Sequence, residues 1–201
     1  MIYSVKGELI LKDMSMAVIE CGGVGYACRT TLATLSQLGG VGSEARLYTY
    51  LYVREDIVEL FGFYTQQELN CFKMLISVSG VGPKAALSIL SDINAEKFAL
   101  IVASGDSKAF TKTKGIGAKT AQRIVLELKD KIAKESISFA ADSYEVSSVM
   151  ESSNSSEAVS ALVVLGYSQS EAASVIAGLD QSLASAEMIK LALRKLGGKF
   201  F

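Results

Sequence analysis

The chain has 201 residues but no histidine, no tryptophan, a single proline and three cysteines. Without histidine there is no imidazole base and no Ser–His or Cys–His couple. The commonest metal ligand is also missing, which leaves carboxylates with Mg²⁺ as the simplest enzyme chemistry. Cys21, Cys28 and Cys71 make no CxxC pair, and an odd number does not build a disulfide framework. Buried, reduced thiols in a cytoplasmic protein are expected. No apolar run reaches the roughly 18 residues that a membrane span needs. Met1 opens onto a strand-like pattern rather than a basic-then-apolar leader, so no secretory signal is expected. No cofactor and no metal are expected either.

Excess charge is also lacking, since the formal net charge is −1. Its distribution is uneven. Residues 1–64 carry 5 Lys/Arg against 7 Asp/Glu, residues 65–134 carry 11 against 6, and residues 135–201 carry 4 against 8. The middle third is therefore near +5 between acidic flanks. A local basic footprint matters more for phosphate attraction than the whole-chain balance.

Half the residues are hydrophobic, enough to fill real cores. Residues 1–63 read as five or six short strands. Ser15–Cys21 and Tyr26–Thr30 flank Gly22-Gly23-Val24-Gly25, a hairpin signal, and Arg46–Val53 and Ile57–Phe63 are aromatic and β-branched. That pattern predicts a small barrel such as an OB-fold. At Thr65 the period becomes helical. Thr65-Gln66-Gln67-Glu68 has the capping-box form, and Leu69, Phe72, Leu75 and Ile76 follow at helical spacing. Helical patterns run to about Ala133, broken at Gly80–Gly82, Gly105 and Gly115–Gly117. From Ser136 to Ser156, 9 of 21 residues are serine and the apolar period is lost, so 135–156 reads as a flexible linker. In 157–201 a third helical unit follows, with Gly166 ending one helix, a second capping box at Ser168–Glu171, and a last helix from about Ala184 to Leu196.

One motif occurs twice in the basic segment. Gly80-Val81-Gly82-Pro83-Lys84-Ala85-Ala86 and Gly115-Ile116-Gly117-Ala118-Lys119-Thr120-Ala121 share the form G-h-G-x-x-x-A, 35 residues apart. Each has a lysine two residues after the second glycine and opens a helix. The pattern predicts a duplicated helix–hairpin–helix unit. The glycines allow tight turns, the aliphatic residue anchors the turn in the core, and the small alanine lets helices approach. Unpaired amides at the following helix start make an anion site, aided by the helix dipole. Lys84 and Lys119 add charge beside it, and such contacts hold a phosphate without reading bases. The plainer alternative is a pair of core turns. No G-x-x-x-x-G-K-[ST] is present, and neither copy extends to G-x-G-x-x-G, which argues against nucleotide binding.

A barrel, a tandem hairpin domain, a Ser-rich linker and a three-helix tail, in this order, resemble the RuvA family, which binds Holliday junctions. The specific points are Gly22-Gly23-Val24-Gly25-Tyr26, Val53-Arg54-Glu55-Asp56, Phe61-Gly62-Phe63, both hairpins, Thr120-Ala121-Gln122-Arg123 and Leu165-Gly166-Tyr167. The resemblance implies an α+β multidomain chain. Its parts are an OB-fold over 1–64, tandem hairpins over 65–134, the linker over 135–156 and a UBA-like bundle over 157–201. It implies a homotetramer, or an octamer on DNA, that holds a four-way junction open and square-planar. Arg54, Gly80, Gly82, Lys84, Gly115, Gly117, Lys119 and Arg123 would meet DNA. Glu55 and Asp56 would form an acidic pin at the crossover, where like charge keeps strands apart. Leu162, Leu165, Tyr167 and Leu193 would face the hexameric RuvB ATPase, or else be core, and the RuvC resolvase would share the junction. Such a subunit is no enzyme and serves branch migration in recombination and repair. In the second hairpin Ala118 stands where a basic residue often occurs in the family, which predicts slightly weaker, less salt-sensitive binding. Two rival readings stay open. One is a glycosylase or metal nuclease with Asp130 as an imperfect acid; the other is a protein-interaction module.

Overall fold

The computed structural model describes residues 1–142 and 153–197. They fall into two compact units, each taken by itself: residues 1–76 with 82–94, and residues 77–81 with 95 onward.

The first unit holds a closed five-stranded barrel. Its strands are β1 (Ser4–Lys12), β2 (Met16–Cys21), β3 (Val24–Arg29), β4 (Glu44–Val53) and β5 (Val58–Phe63), in the order β1-β2-β3-β5-β4. β1 is long enough to pair with both β2 and β4, and β3 meets β5 in parallel. The two-residue turn Gly22-Gly23 leaves Cys21 opposite Val24. Alternate residues point inward, as period-2 strands require, so Val5, Leu9, Ile19, Cys28, Ala45 and Leu47 fill the barrel. The strands match the sequence expectation. An element it passes over is α1 (Leu32–Gln37), capped by the Thr31 hydroxyl. Six residues are too few to show a helical period.

Helices α2 (Gln66–Ile76) and α3 (Pro83–Asp92) pack with the barrel, although the sequence period divides the chain at 64/65. Phe72 of α2 explains this. Its ring lies 5.0 Å from that of Phe61, 4.9 Å from Phe63 and 5.7 Å from Tyr50. Aromatic packing of this kind is worth about 0.5–1.5 kcal/mol per pair beyond area burial.

The second unit contains α4 (Ala95–Ser104), α5 (Ser107–Phe110), α6 (Ala118–Asp142), α7 (Ser153–Val164), α8 (Gln169–Ala177) and α9 (Ser185–Gly197). Two helices reach into the expected linker. α6 continues to Asp142 and α7 starts at Ser153, while 143–152 lie outside the described residues. No glycine or proline occurs between Ala118 and Asp142, so nothing local stops the helix. In the tail, Gly166 takes φ 99° where α7 ends, and Ser168 and Glu171 form the reciprocal capping box expected for α8. The box at α2 is only half made. The Thr65 hydroxyl accepts from the Glu68 amide, but the Glu68 carboxylate is used elsewhere.

Barrel closure depends on Gly7, which pairs with Ala45. A Cβ there would lie 1.9 Å from the Glu20 carbonyl oxygen, a backbone atom that cannot swing aside. Gly7→Ala should therefore lower stability by about 2 kcal/mol or more. Urea denaturation checks this, and an unchanged midpoint would contradict the close strand approach.

Candidate nucleic-acid interface

The two glycine motifs fold alike, bond for bond. Gly80 takes φ 84° and Gly115 φ 89°. The Val81 amide donates to the Val78 carbonyl and the Ile116 amide to that of Thr113, both at 3.1 Å. The Ala86 amide donates to Gly82 at 3.0 Å and the Ala121 amide to Gly117 at 2.9 Å, starting α3 and α6. Val81 and Ile116 are buried, as are Ala86 and Ala121. The duplication read in the sequence is therefore a duplication of backbone geometry.

What lies between those bonds forms the site. Among the described residues, no protein acceptor takes the amides of Gly82, Lys84 and Ala85, or those of Gly117, Ala118, Lys119 and Thr120. Gly82, Lys84, Gly117, Ala118 and Lys119 are exposed. Pro83 fills the first-turn position where no amide is required. Lys84 and Lys119 make no ion pair among the described residues. Each helix start thus presents N–H dipoles and a lysine charge to solvent, which suits an anion.

First and second glycines differ in kind. Gly80 and Gly115 need their left-handed backbone. Gly82 has φ −89°, which any residue adopts, and a Cβ on Gly82 or Gly117 would meet no protein atom within 4 Å. Folding alone does not require glycine there. Glycine there would let a ligand approach the backbone closely.

Arg123 is placed differently from the sequence expectation. Its Nη1 donates to the Ser79 carbonyl oxygen at 3.3 Å, so it lies on the first turn rather than beside the second hairpin's amides. It belongs to a row on α6 that the sequence reading missed. Glu127 accepts from the Ser79 amide at 3.3 Å, and Lys131 donates to the Ser77 carbonyl at 3.1 Å and to its hydroxyl at 2.6 Å. Positions 123, 127 and 131 share one helix face at i+4 spacing. That spacing was visible in the sequence, but the opposing turn was not.

Arg54, Glu55 and Asp56 form the exposed tip between β4 and β5, closed by the Arg54 amide donating to the Ile57 carbonyl at 2.8 Å. Neither carboxylate has a partner among the described residues. Arg54 is held by Tyr52. Its Nε donates to the phenol oxygen at 3.0 Å, and its guanidinium carbon stands 5.2 Å from the ring centre.

In the tail, Leu162, Leu165 and Leu193 are buried and Tyr167 is half-buried. Three of the four residues read as a partner face are therefore not surface. Apolar residues at helical spacing serve a core and a docking face equally well in a sequence. Cys28 and Cys71 are buried and Cys21 is half-exposed, against the expectation that all three are buried. Burial, with a smaller effect of Cys21, pushes the Cys28 thiol up to about 12, so it stays protonated. The described residues contain no group of three or more His, Cys, Asp or Glu side chains placed to hold a metal. The Asp130 side chain lies outside the described residues. No described helix is long and apolar enough to cross a membrane.

Thr113 occupies the place that Val78 takes in the first hairpin. Its buried hydroxyl has no partner among the described residues. Thr113→Val keeps the shape and removes the orphan, so it should raise stability by about 1 kcal/mol. A lowered thermal midpoint would show that the hydroxyl does bond something.

Comparison with known proteins agrees with this architecture. Residues 1–62 match the family model described as RuvA N terminal domain, 72–130 a SAM-like helix-hairpin-helix tandem, and 153–197 the RuvA C-terminal domain. The chain is 52% identical over 148 residues to the "Holliday junction branch migration complex subunit RuvA" of Acetivibrio thermocellus, covering 74% of this chain and 73% of that one. It is 48% identical over 134 residues to the subunit of that name from Ruminiclostridium cellulolyticum, 67% of each chain. Against that of Dehalococcoides mccartyi it is 47% identical over 134 residues, 67% of this chain and 69% of the relative.

Proposed function

The chain belongs to the RuvA family, and on that footing we propose that it is a non-catalytic subunit that binds four-way junction DNA. The observation that carries this is the matched pair of glycine turns, each leaving helix-start amides open beside a free lysine. These groups suit backbone phosphates and ignore base identity, so the ligand is selected by shape. A homotetramer, or two on one junction, would present the paired sites to four arms and hold them square-planar. Lys84 and Lys119 supply charge, while Arg123 keeps the first turn in place and meets DNA only at its edge.

Glu55 and Asp56 would stand at the crossover. Four copies bring eight carboxylates to the point where phosphates converge, and repulsion keeps the exchanging strands apart. Arg54, poised on Tyr52, takes a neighbouring phosphate. The tail recruits the RuvB ATPase, with Tyr167 and its exposed neighbours making contact and the three leucines supporting them from beneath. RuvC would work on the same open junction, in the cytoplasm.

The second glycines give the sharpest test. Gly82→Ala with Gly117→Ala should change stability by no more than about 1 kcal/mol. The same pair should weaken junction binding about tenfold or more, some 1.4 kcal/mol. Full affinity in a folded double variant would rule out phosphate contact at these amides. Solution mass with and without a four-way junction tests the assembly.

Lysine and pin variants separate the two electrostatic roles. Lys84→Ala with Lys119→Ala should flatten the dependence of log affinity on log salt by roughly 0.9 for each phosphate that is no longer neutralised. Glu55→Gln with Asp56→Asn should tighten binding or broaden it to other DNA, because repulsion is removed. A general fall in affinity would count against the pin.

A further inference from the structure

A buried carboxylate of the first unit has no part in the proposal above. Glu68 lies one turn into α2, inside the first unit, and accepts from the hydroxyls of both Thr31 and Thr34, the latter at 2.6 Å. Each hydroxyl is already committed as an acceptor. Thr31 Oγ1 takes the Thr34 amide at 3.0 Å, capping α1, and Thr34 Oγ1 takes the Tyr64 amide at 2.9 Å. Toward an ionised Glu68, which only accepts, both hydroxyls donate. The pocket suits a group that accepts at both ends, as an ionised carboxylate does, whereas an amide offers one oxygen and one donor nitrogen. Burial pushes the Glu68 carboxyl above its ordinary value, while the two threonine hydroxyls oppose that push.

The location of these bonds suggests their purpose. Tyr64 is the first residue after β5, where the chain leaves the barrel for α2. The start of α1 also reaches α3, through the Leu32 amide donating to the Ser91 hydroxyl at 3.1 Å. Ser91 in turn donates to the Leu87 carbonyl at 2.8 Å, so its hydroxyl proton is already committed. α1 thus bonds to both helices that flank the first glycine turn. Phe72 supplies adhesion between α2 and the barrel, but aromatic packing tolerates tilts that a fixed donor–acceptor set does not.

We infer that Glu68, with Thr31 and Thr34, is a positioning lock that sets the angle of the first hairpin's helices on the barrel, and through it the selectivity for a junction over linear duplex. This rests on the reading of the hairpins as phosphate sites. One arm of DNA needs only a competent hairpin. Several arms held at once need each hairpin at the right angle to the barrel, and avidity is lost when geometry forbids simultaneous engagement.

The test compares affinities for a four-way junction and for linear duplex at one salt concentration, using the full chain. Variants are Glu68→Gln, the pair Thr31→Val with Thr34→Val, and the pair Thr31→Ser with Thr34→Ser, each confirmed folded by its unfolding midpoint. Glu68→Gln and the valine pair should lose about tenfold in junction affinity while duplex affinity stays within about twofold, as expected for lost avidity. The serine pair keeps both hydroxyls and should match the unaltered protein. Thr34→Val alone, which leaves the α1 cap in place, serves if the stronger variants do not fold, with the same expected direction. Folded variants that keep the original ratio, or lose both affinities by one factor, overturn the lock. An unaltered protein with no junction preference would instead sink the proposed function.

Discussion

An amide at the first turn of a helix has no carbonyl behind it to bond. Most proteins satisfy such groups with a capping side chain, as Ser168 and Thr31 do here. At α3 and α6 the position of the cap is taken by glycine, which has no side chain to offer. Open to solvent, these donors suit a phosphate oxygen, which would bring a full charge. Such a contact would be indifferent to base sequence. Specificity must then come from where the donors stand, which makes the scaffold around them part of the recognition.

That requirement accounts for polar contacts that stability alone would not demand. Exposed ion pairs and surface hydrogen bonds contribute little to folding. Yet the 77–81 turn is bonded to Arg123, Glu127 and Lys131 along one face of α6, through main-chain atoms at Ser77 and Ser79. Main-chain partners fix a turn in a way that side-chain pairs do not. The tip of the barrel follows the same logic with opposite charge. Arg54 stands between Tyr52 and two acids and bonds the phenol and ring face of Tyr52. Glu55 and Asp56 make no ion pair among the described residues, in a chain whose total charge is close to zero.

The sequence displayed whatever is local. The strands, the Gly22-Gly23 turn, the Ser168 capping box and both hairpins are written in neighbouring residues, and each took the form that its spacing implied. What it concealed is relational. Glu68 reads as the third residue of a capping box, and only the fold brings Thr31 and Thr34 to it across 37 and 34 positions. Arg123 reads as a second-hairpin cation, and only the fold lays it on Ser79, 44 residues upstream. The serine content after 135 suggests a linker, yet helix continues to Asp142 because serine lowers helical preference without stopping it. Leu162, Leu165 and Leu193 show the limit of apolar spacing, which does not distinguish a core from a docking face.

The glycines bring the two kinds of information together. In the pattern G-h-G the two letters are identical, and the sequence alone assigns them one role. The backbone separates them. Gly115 carries φ 89°, so its identity is dictated by the chain itself. At Gly117 a Cβ would stand clear of every protein atom within 4 Å, so the chain does not dictate that glycine. Glycine is a fair helix N-cap, but nothing packed around Gly117 demands it, which leaves its open face free for a partner outside the fold. At the start of a helix, beside open amides and an unpaired lysine, the proposed function would make that partner an anion within hydrogen-bond distance of the backbone, which a side chain at Gly117 would hinder.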